Sequence, residues 1–415
     1  MSVAIFVDYL HAAITGRRYN IFMESLSLHE FHQGLGARFA EANGAEVVND
    51  YGDWLAEHAA LHESAGVLDL SFRGRICLAG NDRVRFLHGQ VTNDVKKLAV
   101  GSGCYAALTN AKGKMECDLN IFRLADELLL DFEPGLTGKI SQRLEKFIVA
   151  DDVQIMDAAP HYGLLSVQGP RADTVVRAIG LFAEIPVELL GSAKISDATL
   201  GELYLMNQPR LAGSAGILPA GASDESVTTR RRDAGAPRLA GFDLFIPNHS
   251  LGAVADKLIA AARQIGGRAV GWQAFETARI ESGIPRFGAD MDETNLPPEC
   301  GIEGRAVSYN KGCYIGQEVI NRIHSVGHVT KELCGLRLAG DLKSLPQRGD
   351  KLFHDGKETG YVTSAVKSPE HQSGGGNIAL GYVRREANQT GNELTLRTAA
   401  GESSAKIVEL PFVKW

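Results

Sequence analysis

Lys311-Gly312-Cys313-Tyr314-Ile315-Gly316-Gln317-Glu318 is the stretch from which the rest of the chain can be read. It places a thiol two residues after an ammonium group and between two glycines. The run from Gly316 through Arg322 directly behind it reads as the opening of a helix. The positive end of a helix and a nearby lysine both favour the thiolate form of a cysteine. A thiolate suits nucleophilic, redox or metal-ligand chemistry. Gly312 and Gly316 would let the backbone approach a ligand or partner closely. The plainer role of a free cysteine is that of a small buried apolar group. Cys313 and Lys311 are therefore the candidate catalytic pair, and the thiol is the residue to test.

Upstream of this octapeptide the apolar spacing switches between periods of about 2 and about 3.6. Residues 53–65 read as a helix with Asp53 as N-cap. Val84, Leu87 and Val91 form one helical face that Asn81 is placed to cap. Cys104–Thr109, the turn Ala111-Lys112-Gly113 and Met115–Phe122 read as a hairpin, with Leu128-Leu129-Leu130 as the third strand of a meander. Leu136, Ile140, Leu144 and Phe147 mark a helix, as do Leu251, Val254 and Leu258. Another helix-like run starts at Gly271 and carries Arg279 and Glu281 near its end. Downstream of Lys331 short β-rich runs take over, such as Tyr361-Val362-Thr363 and Ile378–Val383. That change predicts a small antiparallel barrel or sandwich over 331–415, after a two-part region over 24–330.

Two segments stand apart. Val3–Val7 is apolar and precedes Arg17-Arg18, the reverse of the order in a secretory signal, so 1–23 reads as an N-terminal extension before a possible start at Met23. Pro209-Arg210-Leu211-Ala212-Gly213 recurs as Pro237-Arg238-Leu239-Ala240-Gly241, an offset of 28 residues. The intervening chain is rich in Gly, Ala, Ser and Arg and too poor in large apolar groups to offset its ordering entropy. Residues 211–238 are expected to be a disordered, solvated insertion.

The chain has 415 residues, 44% of them apolar and 22% charged, a globular composition with room for two or three packed domains. Its formal charge of −7 gives no reason to expect a nucleic-acid partner. No apolar run approaches the ~20 residues of a membrane-spanning helix. Six cysteines at 77, 104, 117, 300, 313 and 334 contain no CxxC spacing, so neither a zinc knuckle nor a resident cluster is expected. Scattered thiols fit a reducing, cytoplasmic compartment. The His29/His32 and His324/His328 spacings could ligate a metal on a helix, but no acidic third ligand is adjacent, and no metal site is expected.

The octapeptide KGCYIGQE resembles the signature of the YgfZ family, a branch of the glycine-cleavage T-protein superfamily. Residues 86–95, 105–114, 279–292 and 379–383 resemble that superfamily at large, and the likeness extends over about 24–412 apart from the insertion. It implies an α+β fold of three domains in a ring, a C-terminal antiparallel β-barrel, and tetrahydrofolate in a central channel. It also implies an accessory protein that supports iron–sulfur cluster assembly or repair, with assembly proteins or client enzymes as partners. The alternative is an aminomethyltransferase, or another tetrahydrofolate-dependent one-carbon transferase.

A folate needs an apolar slot, carboxylates or amides for the pterin edge, and a cation for its glutamate tail. The resemblance offers Asn110, Asp118, Arg279 and Glu281 as cofactor-binding residues. In the aminomethyltransferases a paired aspartate follows the Asn-x-x-Gly turn, and here those positions are Cys117 and Asp118. Strand alternation sends Asp118 to the face opposite Cys117, which counts against the glycine-cleavage reaction. The glutamate that grips the pterin in that superfamily is matched by Leu239 or Ala240, so that carboxylate is missing.

Overall fold

The computed structural model describes residues 25–211, 240–369 and 375–413. The expected extension 1–23 and the insertion 211–238, apart from Leu211, lie outside the described residues. After α1 (His29–Gly34), the hairpin β1 (Arg38–Ala42) and β2 (Ala45–Asp50) leads to α2 (Trp54–Glu63), β3 (Gly66–Asp69), β4 (Gly74–Ala79) and α3 (Arg83–Gln90). The meander follows as β5 (Ser102–Thr109), β6 (Met115–Arg123) and β7 (Leu128–Phe132), then α4 (Thr137–Glu145), β8 (Gln154–Asp157), β9 (Tyr162–Gly169) and α5 (Ala172–Ala178). β10 (Ser192–Asp197), β11 (Gly201–Asn207), β12 (Ala240–Pro247), α6 (Asn248–Gln264), β13 (Arg268–Ala269) and α7 (Trp272–Glu281) come next. The short α8 (Glu303–Ala306) and α9 (Gln317–Val326) precede β14 (Lys331–Leu338), β15 (Lys351–His354), β16 (Lys357–Ser368), β17 (Gly376–Arg384), β18 (Glu393–Thr398) and β19 (Gly401–Val408).

Three bodies result. One is a five-stranded antiparallel sheet in the order β5-β6-β7-β4-β8, and another a six-stranded sheet in the order β10-β11-β12-β9-β3-β13. The third is a closed barrel, β14-β17-β16-β15-β18-β19, built wholly from antiparallel pairs. The expected α+β class and C-terminal antiparallel barrel are what the chain forms.

Period-2 alternation in β6 decides what each sheet face is made of. Met115, Cys117, Leu119 and Ile121 are buried, while Glu116, Asp118 and Asn120 alternate with them. Cys117, Leu119 and Ile121 pack with Leu87 of α3 and Ile140 of α4 in an apolar core. The opposite face turns Phe122 and Leu129 toward Phe245 of β12 and Ala274 of α7, which joins the two open sheets. A third cluster, with Ala107, Met115, Cys300 and Tyr382, fastens the meander to the barrel. Burial on this scale stabilises by about 25 cal/mol per Å² of apolar surface and fixes the three bodies against one another. One expected cap moves. Asn81 does not cap α3: its backbone N–H and Nδ2 both donate to Asp152 Oδ2, at 3.0 and 2.8 Å, and the helix starts at Arg83.

Candidate functional site at the domain junction

A buried ribbon of charge runs through the junction. Arg210 joins Asp243 of β12 at 2.5 Å to Asp131 of β7 at 2.9 Å. Asp131 also accepts from Arg73 at 2.7 Å and from Asn120 at 3.1 Å. Arg73 continues to Glu133, Glu133 to Arg286 at 3.3 Å, and Arg286 to Glu276 at 3.3 Å. Glu276 and Asp290 both take Arg279, and Asp290 accepts from Thr363 of the barrel at 2.6 Å. Four guanidinium groups thus answer five carboxylates across all three bodies. Burial pushes the Asp131 carboxyl up, but Arg210 and Arg73 overcome this and hold it well below the usual carboxylate range. Such pairs need every donor matched, because an unpaired buried charge is expensive.

Asp118 lies beside this ribbon and differs from it. Its Oδ2 accepts from Tyr105 OH at 2.7 Å, while its Oδ1 is shielded from water and has no hydrogen-bond partner among the described residues. Burial pushes the Asp118 carboxyl up to about 6, against the Tyr105 hydrogen bond that draws it down. The guanidinium of Arg305 stacks over Tyr105 at 5.1 Å. Nearby, Cys300 Sγ is 3.1 Å from Tyr382 OH, and Lys331 Nζ lies 4.6 Å from the Tyr382 ring and donates to Tyr361 OH at 3.0 Å. A carboxylate with one buried, unpartnered acceptor, beside aromatic and cationic groups, has the chemistry to receive an N–H or steady a developing cation in a low-dielectric setting.

The sequence-derived residues scatter around this centre. Arg279 is expected to face a ligand, yet all five of its N–H donors are taken: Nε and Nη2 by Glu276, Nη1 by Ile284 O and Asp290, and Nη2 again by Ser364. Glu281, two residues on, turns to the opposite side of α7 and meets His58 and His62 instead. Asn110 spends its Oδ1 on the turn, accepting from the backbone N–H groups of Lys112 at 2.9 Å and Lys114 at 3.2 Å. Cys117 is wholly buried, and burial pushes its thiol well up. The replaced position points into an apolar core, and the retained Asp118 is the one that reaches the junction.

Lys311 is buried, and its ammonium donates to the carbonyls of His88, Val91 and Asn93, the last two at 2.6 and 3.0 Å. Burial draws the ammonium down to about 8. It anchors the octapeptide to the end of α3, and no hydrogen bond or ion pair among the described residues joins it to Cys313. Cys313 is exposed, in the loop ahead of α9. Gly316, at φ +89°, lies so close to the β5–β6 turn that a Cβ there would stand 2.5 Å from Asn110 O. The octapeptide is thus clamped onto the Asn110 turn. The His29/His32 and His324/His328 pairs do not converge: His29 meets Glu46 at 2.9 Å, His32 meets Asp69 at 2.9 Å, and His324 meets Glu303 at 3.2 Å.

Sequence reasoning missed Tyr105, Arg73, Asp131, Glu133, Glu276, Arg286 and Arg305. One signal was present: Asp131 sits inside Leu128-Leu-Leu-Asp-Phe132, and a carboxylate within a fully buried strand demands a buried cation. The others carry no such signal: Arg73 and Arg305 have partners far away along the chain, and the nearer pairs of Glu276 with Arg279 and Arg286 read as ordinary charges.

With this geometry in place, comparison with known proteins is direct. The sequence model of the GCVT N-terminal domain matches residues 28–202 and 240–311, and that of the glycine cleavage T-protein C-terminal barrel domain matches 331–414. An aminomethyltransferase of Herpetosiphon aurantiacus is 26% identical over 397 residues, covering 94% of this chain and 99% of the relative. One from Listeria monocytogenes is 25% identical over 388 residues, covering 93% and 97%. The crystal structure of glycine cleavage system aminomethyltransferase T from Bartonella henselae superposes with a TM-score of 0.78 at 23% identity, over 95% of this chain and 99% of that one. That likeness carries the fold.

Proposed function

The chain belongs to the glycine cleavage T-protein family, and on that footing we propose that it binds a reduced folate against Asp118 and acts as a folate-dependent one-carbon transferase of the aminomethyltransferase type. The observation that carries this reading is the Asp118 carboxylate, with one oxygen fixed by Tyr105 and the other buried without a partner among the described residues. A bound tetrahydrofolate would supply a nucleophilic ring nitrogen that accepts a one-carbon unit. Asp118 would orient that nitrogen through Oδ1 and offset positive charge next to it. Arg286, whose Nε has no hydrogen-bond partner among the described residues, and Lys331 are the cations we assign to an anionic tail. In this reading Asn110 and Arg279 position the walls, and Glu281 has a different task.

A second reading is kept because two observations favour it. Cys313 is exposed on a clamped loop, and Cys117 replaces an acid. These fit a YgfZ-like accessory protein that uses folate and Cys313 in support of iron–sulfur proteins, in a reducing cytoplasm. Among the described residues no helix is long and apolar enough to cross a membrane.

Calorimetry with tetrahydrofolate should show saturable heat, weakened by Asp118→Asn. No heat at about 1 mM ligand would remove both readings, since even a poor site should reach that range. Transfer from an aminomethylated lipoyl carrier protein then separates them. The transferase reading requires turnover that survives Cys313→Ser. The accessory reading requires no turnover, together with iron–sulfur enzyme activities that Cys313→Ser fails to restore in cells lacking the protein.

A further inference from the structure

Two imidazoles and a carboxylate converge away from the folate junction. His58 and His62 stand one turn apart on α2, so their side chains share a face. Glu281 is the last residue of α7, which packs against α2. His58 Nε2, His62 Nε2 and Glu281 Oε2 form a triangle with edges of 2.8, 3.0 and 3.2 Å. His58 and Glu281 are sealed from solvent, while the His62 side chain keeps 12% of its surface exposed.

We propose that His58, His62 and Glu281 form a site for one divalent transition-metal ion of the zinc type, at the junction of α2, α7 and the barrel. The geometry argues for it. In a tetrahedral zinc site, ligands ~2.0–2.1 Å from the ion stand roughly 3.3 Å apart, so this triangle needs to open by only a few tenths of an ångström. Protons serve the arrangement poorly. If both Nε2 atoms carry hydrogen, two N–H groups crowd one oxygen; if one does not, its lone pair lies within 3.0 Å of the carboxylate oxygen and is relieved only by the other imidazole's N–H at 3.2 Å. A single cation takes all three lone pairs at once.

The carboxylate is also held in place for the task. Glu281 Oε1 accepts from Ser368 Oγ at 2.5 Å, and the Glu281 carbonyl accepts from Phe412 N at 2.8 Å. Outer contacts of this kind orient ligands and strengthen metal binding. Two nitrogens and one oxygen suit zinc, cobalt or nickel, whereas magnesium and calcium prefer oxygen alone. Three protein ligands leave a fourth position, and the partly exposed His62 marks where a water or small anion would reach it.

The test uses the full chain, stripped with a chelator and titrated with Co²⁺ and Zn²⁺. One equivalent of Co²⁺ should bind saturably, give the visible absorption of a four- or five-coordinate ion, and be displaced by Zn²⁺. His62→Gln, at a partly exposed position, and Glu281→Gln should each weaken Co²⁺ binding by about tenfold or more. Anomalous diffraction at the zinc edge from wild-type crystals should place the ion within the triangle, which keeps the test independent of how the variants fold. Absence of saturable binding by the wild type, affinity unchanged in both variants, or an ion located elsewhere would each overturn the site.

Discussion

Asp118 is an ionisable group whose environment costs stability at neutral pH. Its carboxyl is raised from 3.8 to about 6 because burial penalises the charge more than the Tyr105 hydrogen bond and Arg73 relieve it. A carboxyl raised in the fold favours the folded state while protonated, and that contribution is lost as pH rises through about 6. The wild type should therefore gain thermal stability relative to Asp118→Asn between pH 8 and pH 5, with the variant equal or better at pH 8. Folate-dependent activity should run the other way. On the proposed reading it needs the carboxylate, so it should fall as pH drops through about 6, and the residual activity of Asp118→Asn should be flat over that range. Melting temperatures and a pH–rate profile on the two proteins check both halves. A wild-type profile without an inflection near 6 would separate Asp118 from the chemistry. Cys117 and its neighbour Asp118 part ways through strand alternation, not titration. The two are adjacent, yet β6 sends one into an apolar core and the other to the junction.

At the scale of elements, the octapeptide is held by two devices that its sequence only half reveals. Lys311 fastens its front to three carbonyls at the end of α3, and Gly316 lets its back lie against the Asn110 turn. Gly316→Ala would place a Cβ 2.5 Å from Asn110 O and 2.9 Å from Thr109 Oγ1, at a φ of +89°. Left-handed backbone strain and overpacking together should cost roughly 2–4 kcal/mol. Chemical denaturation should show that loss, and the Cys313 loop should become more open to thiol reagents and proteases. Wild-type-like stability in Gly316→Ala would mean that the loop is not clamped. Flanking glycines predict close backbone approach; Gly316 does approach the Asn110 turn of the same chain, whereas a Cβ at Gly312 would meet only His88 Nε2 at 3.8 Å.

The whole molecule is held by its charged ribbon and by the apolar clusters beside it, and Arg210 joins the two open sheets within that ribbon. The repeat Pro-Arg-Leu-Ala-Gly begins around this residue. Leu211 is fully buried, and deleting 211–238 would bring Leu239 into register behind Arg210. We expect the shortened chain to fold, with stability shifted by only about 1 kcal/mol, since loop-closure entropy varies slowly with length. Denaturant titration of the deletion measures this. A loss of several kcal/mol would show that the excised residues pack against the body. The family match itself breaks between 202 and 240 and resumes at the first residue of β12.

What the sequence determined by itself is local. Alternation in 104–122 and helical spacing at 136–144 and 251–258 place strands and helices, because side-chain direction follows backbone period, while Phe147 lies past the helix end and is exposed. The turn of β composition at Lys331 marks the barrel for the same reason. What only the tertiary structure decided is pairing across distance. Arg279 reads as a ligand cation until Glu276, Asp290 and Ser364 claim its donors. Glu281 reads as its companion until the turn of α7 delivers it to His58 and His62, 223 and 219 residues away. A buried charge must find its complement wherever the packing of three bodies puts it. No local period encodes the distant part of that complement, so Ser364 beside Arg279, the two imidazoles at Glu281 and the carbonyls around Lys311 emerge only when the sheets and the barrel close on one another.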